Sequence, residues 1–89
     1  MAGKFPLGRL LITTHAQSLL HQADVTKALI RHQHGDWGEL CEEDKAENEL
    51  SVREGFRILS SYLDRNKIKF WVITEADRSS TTVLLPDDY

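Results

Sequence analysis

His32, His34 and Asp36 place two imidazoles and a carboxylate within five residues, a combination that can hold a metal ion. Side chains two positions apart on a helix point roughly 200° away from each other, so both histidines could share an ion only if the helix had ended by His34. Cys41 is a further candidate ligand, but none of the recognised zinc spacings occurs. The pattern favours a histidine pair at a helix C-terminus, where positive charge complements the dipole, and we predict neither a metal nor a cofactor.

A second polar group occupies the segment 74–82, which has the sequence TEADRSSTT and lies between two apolar runs. Arg78 and the neighbouring hydroxyls could bind a phosphate, with Glu75 as a base. The alternative is a loop that satisfies itself, in which Asp77 accepts from the main chain at Ser79 and Arg78 pairs with Glu75. We favour the self-satisfied loop.

Three further polar positions have structural and catalytic interpretations. Asn48 falls in the middle of a predicted helix, where asparagine often has a specific partner. Arg57 would lie on a sheet face and need a partner there, so a link from the acidic helix to this arginine would be structural. Cys41 has no base placed beside it by spacing, and Ser60 and Ser61 lack the strand–turn–helix setting of a nucleophile elbow.

Length and composition limit the class of protein. The chain has 89 residues, enough for one domain, and its hydrophobic content of 40% is ordinary for a globular protein. The net charge of −3 argues against a dedicated nucleic-acid binder, and the apolar runs are too short to span a bilayer. One cysteine allows no internal disulfide. We expect a single cytoplasmic domain over 1–89, with 1–8 as a flexible leader and 86–89 as a tail.

Acidic residues are concentrated in the segment 39–49. Lys45 is the one basic residue in this segment. The acidic residues are Glu39, Glu42, Glu43, Asp44, Glu47 and Glu49. Such a cluster can be a solvated helix face, or it can steer a charged partner toward the protein. The first of these interpretations is favoured.

The N-terminal half has helical patterning. Residues 9–13 suggest a short strand or an extended lead-in, and Thr14 with Gln17 forms a capping box before an apolar stripe at 16, 19, 20 and 23. Asp24 is the predicted N-cap of a second helix over 25–34, with Val25, Ala28, Leu29 and His32 on its buried face. A third helix begins at Glu39 or Cys41, runs to Glu54 and ends at Gly55.

From residue 56 the apolar period changes from 3.6 to 2, which predicts strands over 56–63, 68–74 and 81–85. The strand 68–74 is apolar on both faces and is therefore central. Trp37 between two glycines is expected to plug a core edge, and Trp71 is either covered or part of an exposed patch. The predicted fold class is α+β: three short N-terminal helices, with a short strand possible before them, and a C-terminal three-stranded antiparallel β-meander.

Four motifs resemble a known family. They are HxHGDWGEL at 32–40, EEDKAEN at 42–48, GFRILSSY at 55–62 and WVITEADRSSTTVLLPDDY at 71–89. Together they make residues 8–89 similar to a group of small bacterial proteins that travel with plasmids, phages and integrated elements. No activity is established for that group, so the resemblance implies a setting of element maintenance or conflict with the host.

We therefore expect a non-enzymatic binding or regulatory domain of a mobile element that contacts a protein partner. The residues expected to bind that partner are Asp36, Trp37, Glu42, Glu43, Asp44, Trp71 and Asp77. The alternative is a compact ribonuclease toxin of the barnase or RelE type, suggested by helices followed by a meander. Only that alternative calls for nucleic acid, and its catalytic candidates are His32, His34, Arg57, Glu75 and Arg78.

Overall fold

The computed structural model describes residues 3–89 and places four strands and three α-helices in this part of the chain. In chain order the elements are β1 (Arg9–Ile12), α1 (Thr14–Leu19), α2 (Gln22–Gln33), α3 (Glu42–Glu54), β2 (Ile58–Leu63), β3 (Lys69–Thr74) and β4 (Ser80–Leu84), followed by a short 3₁₀-helix (Pro86–Asp88). The α+β class predicted from the sequence is confirmed. None of the helices in residues 3–89 is both long and apolar enough to cross a membrane.

The sheet is mixed, with strand order β1-β4-β3-β2. β2 and β3 pair antiparallel, as do β3 and β4, whereas β1 pairs parallel with β4. The prediction of a three-stranded antiparallel meander is therefore wrong, because β1 adds a fourth strand that runs parallel to β4 and makes the sheet mixed. The main-chain N–H groups of Arg9 and Thr13 donate to Ser79 and Val83 at 3.0 Å. The apolar run Leu10-Leu11-Ile12 is too short to indicate from the sequence which strand, about 70 residues away, β1 pairs with.

The helices cover one face of the sheet. Residues that pair in register share a face, so Val72 and Val83 point to the same side, as do Tyr62 and Phe70. These side chains join a buried cluster whose other members are Ala16, Leu20, Val25, Ala28 and Leu85. Burying each large apolar side chain of this kind stabilises the fold by about 1.5–3 kcal/mol, which makes this cluster the main source of stability.

The helix starts differ from the predicted ones by one to three residues. Thr13, not Thr14, caps α1, and its hydroxyl accepts from the Ala16 N–H at 3.1 Å. His21 caps α2, while Asp24 pairs with Arg65, which lowers the pKa of that carboxyl to about 2. α3 ends as predicted at Gly55, whose φ of 81° is the left-handed conformation that favours glycine.

Both ends of the described chain contact the core. Phe5 is buried in a second cluster with Trp37 and Ile58, and the Lys4 N–H donates to the Gln33 carbonyl at 2.8 Å. At the other end, Asp88 accepts from the Thr13 hydroxyl at 2.7 Å and lies 3.0 Å from the His15 ring. The Thr13 hydroxyl in particular holds the pKa of Asp88 below its usual range. The C-terminal segment is thereby tied to the junction between β1 and α1.

Candidate functional site

His32 lies in the interior, at the start of a chain of hydroxyl groups. Its Nδ1 is 2.5 Å from Ser60 Oγ and its Nε2 is 2.9 Å from Thr74 Oγ1. Thr74 Oγ1 is 2.7 Å from Thr81 Oγ1, which donates to the Leu7 carbonyl at 2.7 Å. A carbonyl can only accept, so the Thr81 hydroxyl donates its proton to Leu7, and the Thr74 hydroxyl donates to Thr81. Thr74 Oγ1 must then accept from His32, so the ring carries its proton on Nε2. Ser60 then donates to the unprotonated Nδ1.

Ser60 and His32 are hydrogen-bonded as a nucleophile and its base would be, but the pair is not accessible to a substrate. Both side chains are 0% exposed, so no substrate can reach the serine oxygen. Burial lowers the pKa of His32 to about 3, which keeps the ring neutral at physiological pH. The ring also packs edge-on against Phe5 and Trp37, with centroid distances of 5.3 and 5.9 Å. His32 therefore connects the helices to the sheet.

The other residues of the first motif are held locally. His34 is exposed at the end of α2, and its Nδ1 lies 2.8 Å from the Ile30 carbonyl. The Arg31 guanidinium donates to Asp36 at 2.7 Å, which holds the pKa of that carboxyl below its usual range. No group of three or more histidine, cysteine and acidic side chains in residues 3–89 is arranged to bind a metal ion.

The loop after β3 closes on itself. Asp77 accepts from the Ser79 N–H at 2.9 Å, as the sequence predicts, and this bonding lowers the pKa of Asp77. Arg78 contacts Glu75 through the main-chain carbonyl of that residue, and its guanidinium also donates to the carbonyls of Ser51 and Phe56 at 2.8 and 2.7 Å. Arg78 thus caps the last turn of α3, with its charge committed to carbonyl oxygens.

Arg57 and the tryptophans complete the predicted sites. Arg57 is exposed, donates to the Tyr89 hydroxyl and stacks on the Tyr89 ring at 5.3 Å. Tyr89 in turn packs edge-on against the half-buried Trp71 at 5.8 Å. Trp37 is only 3% exposed, and its indole N–H donates to Glu49 at 2.8 Å. Trp37 therefore plugs the core edge, as expected.

The five catalytic candidates consequently have separate partners. No hydrogen bond between side chains joins any two of them in residues 3–89; those candidates are His32, His34, Arg57, Glu75 and Arg78. Of the predicted binding residues, Glu42, Glu43 and Asp44 are exposed in the first turn of α3. Lys45 contacts this group at Glu42, 3.4 Å away.

The β2 edge of the sheet is blocked. The Asn48 side chain receives the Leu59 N–H at 3.3 Å and donates to the Leu59 carbonyl at 2.7 Å, so it replaces the residue of a neighbouring strand. Further along, the Ser61 N–H donates to Trp37 at 3.3 Å, and the Ser61 carbonyl accepts from Glu39 at 2.6 Å. Both outward-facing positions in the middle of β2 are therefore occupied by the chain itself.

The β1 edge is open. Because Arg9 and Thr13 turn their N–H groups toward β4, the alternation of a parallel ladder turns those of Leu10 and Ile12 outward. No strand in residues 3–89 pairs with this side of β1. All four residues of β1 are exposed, and three of them are large and apolar, with exposed fractions of 55% for Leu10, 42% for Leu11 and 38% for Ile12.

A groove of about 470 Å³ runs beside this edge. Its apolar walls come from β1, from Leu20, from Val25 and Leu29 of α2, and from Val83. Its polar lining consists of the uncharged side chains of Gln17, Gln22 and Thr26, so no charged residue is among the described residues that line it. Sequence reasoning missed this surface, although the uncharged run Leu10-Leu11-Ile12 next to a helix cap is the signal that could have indicated it.

Comparison of the chain with known proteins found no relative. No protein-family model matches the chain, and neither the curated proteins nor the solved structures contain a significant match.

Proposed function

We propose that the chain is a small binding or regulatory domain that acts through protein–protein contact, in the mobile-element setting that its motifs suggest. The observation that carries this proposal is the open β1 edge, where Leu10, Leu11 and Ile12 are exposed beside an uncharged groove. Unpaired strand edges are ready templates for another chain, and proteins usually protect them with charge, proline or covering segments. β1 has one charged residue, Arg9, and no proline.

The recognition mode that fits this edge is strand addition. An extended segment of the partner would pair with the main-chain groups of Leu10 and Ile12, while its side chains would enter the groove. Each hydrogen bond formed would contribute about 0.5–1.5 kcal/mol net, and each large apolar side chain buried about 1.5–3 kcal/mol. Because the described residues that line the groove are all uncharged, a segment of uncharged, apolar residues is preferred over an acidic or basic one.

The acidic face of α3 has a secondary part in this proposal. α3 packs against β2, at the other end of the strand order from β1, so its acids lie away from the groove. They would influence the approach of charged partners without entering the interface. This differs from the expectation that the acidic residues are themselves the main contact.

Site-specific photo-crosslinking tests the proposal. The photoreactive residue benzoylphenylalanine is introduced either at Leu10, on the open edge, or at Glu43, on α3, and the protein is irradiated in the expressing cells. We expect protein adducts from position 10 and none from position 43. Adducts from position 43 alone would move the docking surface to α3, and an absence of adducts from both positions would contradict the binding function.

The ribonuclease alternative has its own test. Purified protein is incubated with a structured RNA, and we expect the RNA to remain intact, because the candidate catalytic groups have separate structural partners. Cleavage that is lost in Arg57→Ala or Glu75→Gln would replace the binding proposal with an enzymatic one.

A further inference from the structure

We infer that the strand that occupies the β1 edge is β1 of a second copy of this chain, so that two four-stranded sheets form one continuous eight-stranded sheet. This inference rests on the proposed function, because it names the occupant of the same surface. Three properties of the described residues point to a second copy: the register available to β1, the charges along it, and the blocked edge at β2.

The register is self-complementary. A twofold axis beside Leu11 makes the two β1 strands antiparallel and sets Leu10 opposite Ile12 of the second copy. Both residues turn their N–H and C=O groups outward, so each such pair exchanges two hydrogen bonds, and the symmetry creates the pair twice. Leu11 then faces Leu11 of the second copy in the position where side chains approach most closely. β1 is thus its own geometric match.

The charges allow this pairing. Arg9 carries the one charge on β1, and in this register it faces Thr13 of the second copy, so no like charges meet across the strands. The side chains that would enter the partner's groove are leucine and isoleucine, which suit its uncharged lining. α3 packs on β2 and would lie at the two outer ends of the joined sheet. The net charge of −3 per chain therefore opposes the contact weakly.

The blocked edge limits the assembly to two copies. In the joined sheet both outer strands would be β2, whose outward groups at Leu59 and Ser61 are already bonded to Asn48 and to the 37–39 segment. A sheet that joins at one edge and is closed at the other stops at a dimer instead of growing into a fibre. The opposite treatment of the two edges is what a closed twofold dimer requires.

A charge-exchange experiment tests the inference. Leu11→Lys and Leu11→Glu each place like charges opposite one another across the twofold axis, and Leu63→Lys is the matched control because Leu63 is exposed on the other edge strand. The mass of each protein in solution is measured by sedimentation equilibrium over a range of concentrations. We expect wild type and Leu63→Lys to form a species of twice the 10.2 kDa chain mass.

Each Leu11 variant alone is expected to dissociate about tenfold more readily, because the apolar pair is lost and like charges face each other, and the two are expected to recover the dimer when mixed in equal amounts. Recovery requires that position 11 of one chain faces position 11 of the other, which a misfolded variant could not imitate. A monomeric wild type, or a dimer unaffected by either Leu11 variant, overturns the inference.

The same data separate this inference from the proposed function. If wild type is monomeric but benzoylphenylalanine at position 10 still forms adducts with another protein, the second copy is wrong as occupant and the binding function stands. If wild type is monomeric and position 10 forms no adducts, both proposals are contradicted. An adduct at position 10 of twice the chain mass, together with recovery in the mixture, supports both.

Discussion

The β2 edge and the β1 edge expose the same kinds of main-chain groups, but the chain treats them differently. At β2, a helix side chain and a short segment with Gly38 at its centre bond every outward group of Leu59 and Ser61. At β1, the outward groups of Leu10 and Ile12 have no strand partner in residues 3–89, and apolar side chains surround them. This contrast between the two edges supports the proposal that another chain covers the β1 edge.

The largest effect should come from displacing the segment that blocks β2. Gly38 has a φ of 74°, and a Cβ there would collide with the Ser61 carbonyl oxygen. Gly38→Ala should lower the free energy of unfolding by about 3 kcal/mol, from backbone strain of about 1 kcal/mol and loss of the two bonds to Ser61. Urea denaturation measures this loss.

Gly55→Ala is the matched control for that measurement. Gly55 has a similar φ of 81°, but no atom lies within 4 Å of the position its Cβ would take. We therefore expect Gly55→Ala to cost only the strain of about 1 kcal/mol. Equal losses in the two variants would mean that the Trp37–Glu39 segment contributes nothing at the β2 edge.

Acidic pH should lower the free energy of unfolding by protonating His32 of the unfolded chain; in the folded chain this histidine packs against Trp37 of the segment that blocks β2. Trp37 packs on His32, whose pKa in the folded chain is about 3 compared with 6.5 for a free histidine. Between these two pH values the unfolded chain binds a proton at this histidine and the folded chain does not. The contribution of the neutral, buried His32 to stability is therefore complete above pH 6.5 and declines as the pH falls toward 3. Between pH 7 and pH 5 the loss should be about 2 kcal/mol.

Histidine variants assign that pH dependence. In His32→Gln the decline between pH 7 and pH 5 should disappear, whereas His34→Gln, which changes the exposed histidine that follows the last residue of α2, should retain it. The free energy of unfolding at each pH is again taken from urea titrations. A wild-type protein that is equally stable at pH 7 and pH 5 would contradict the buried, neutral state of His32.

The smallest of these effects concerns the side-chain block itself. Asn48→Ala should cost about 1.5 kcal/mol, because the Leu59 N–H and carbonyl lose their partners but water can reach them from the adjacent groove. Amide hydrogen exchange at Leu59 should become faster than in the wild type, because its N–H loses the Asn48 acceptor. The neighbouring exposed variant Glu47→Ala should change neither quantity, and equally slow exchange at Leu59 in Asn48→Ala would show that the edge is protected by other means.

Features that depend on neighbours in the sequence could be predicted. The change of apolar period at residue 56 indicates where helices end and strands begin, and Gly55 ends α3 because only a residue without a side chain adopts its backbone conformation readily. The bond from the Ser79 N–H to Asp77 was predictable for the same reason, since its two partners are two residues apart. The sequence by itself therefore determined the α+β class and the closed loop after β3.

Features that depend on distant partners were decided by the tertiary structure. β1 is a short apolar run, and only packing shows that it pairs parallel with β4 and leaves its other side open. The sequence predicted His32 on the buried face of a helix and in a helix-end histidine pair, but only the folded chain brings Ser60 and Thr74 to its ring. Asn48 likewise bonds to Leu59 only because α3 packs against β2. Long-range pairing joins residues whose identities do not specify each other, so which edge of the sheet is blocked and which is open follows only from the folded chain.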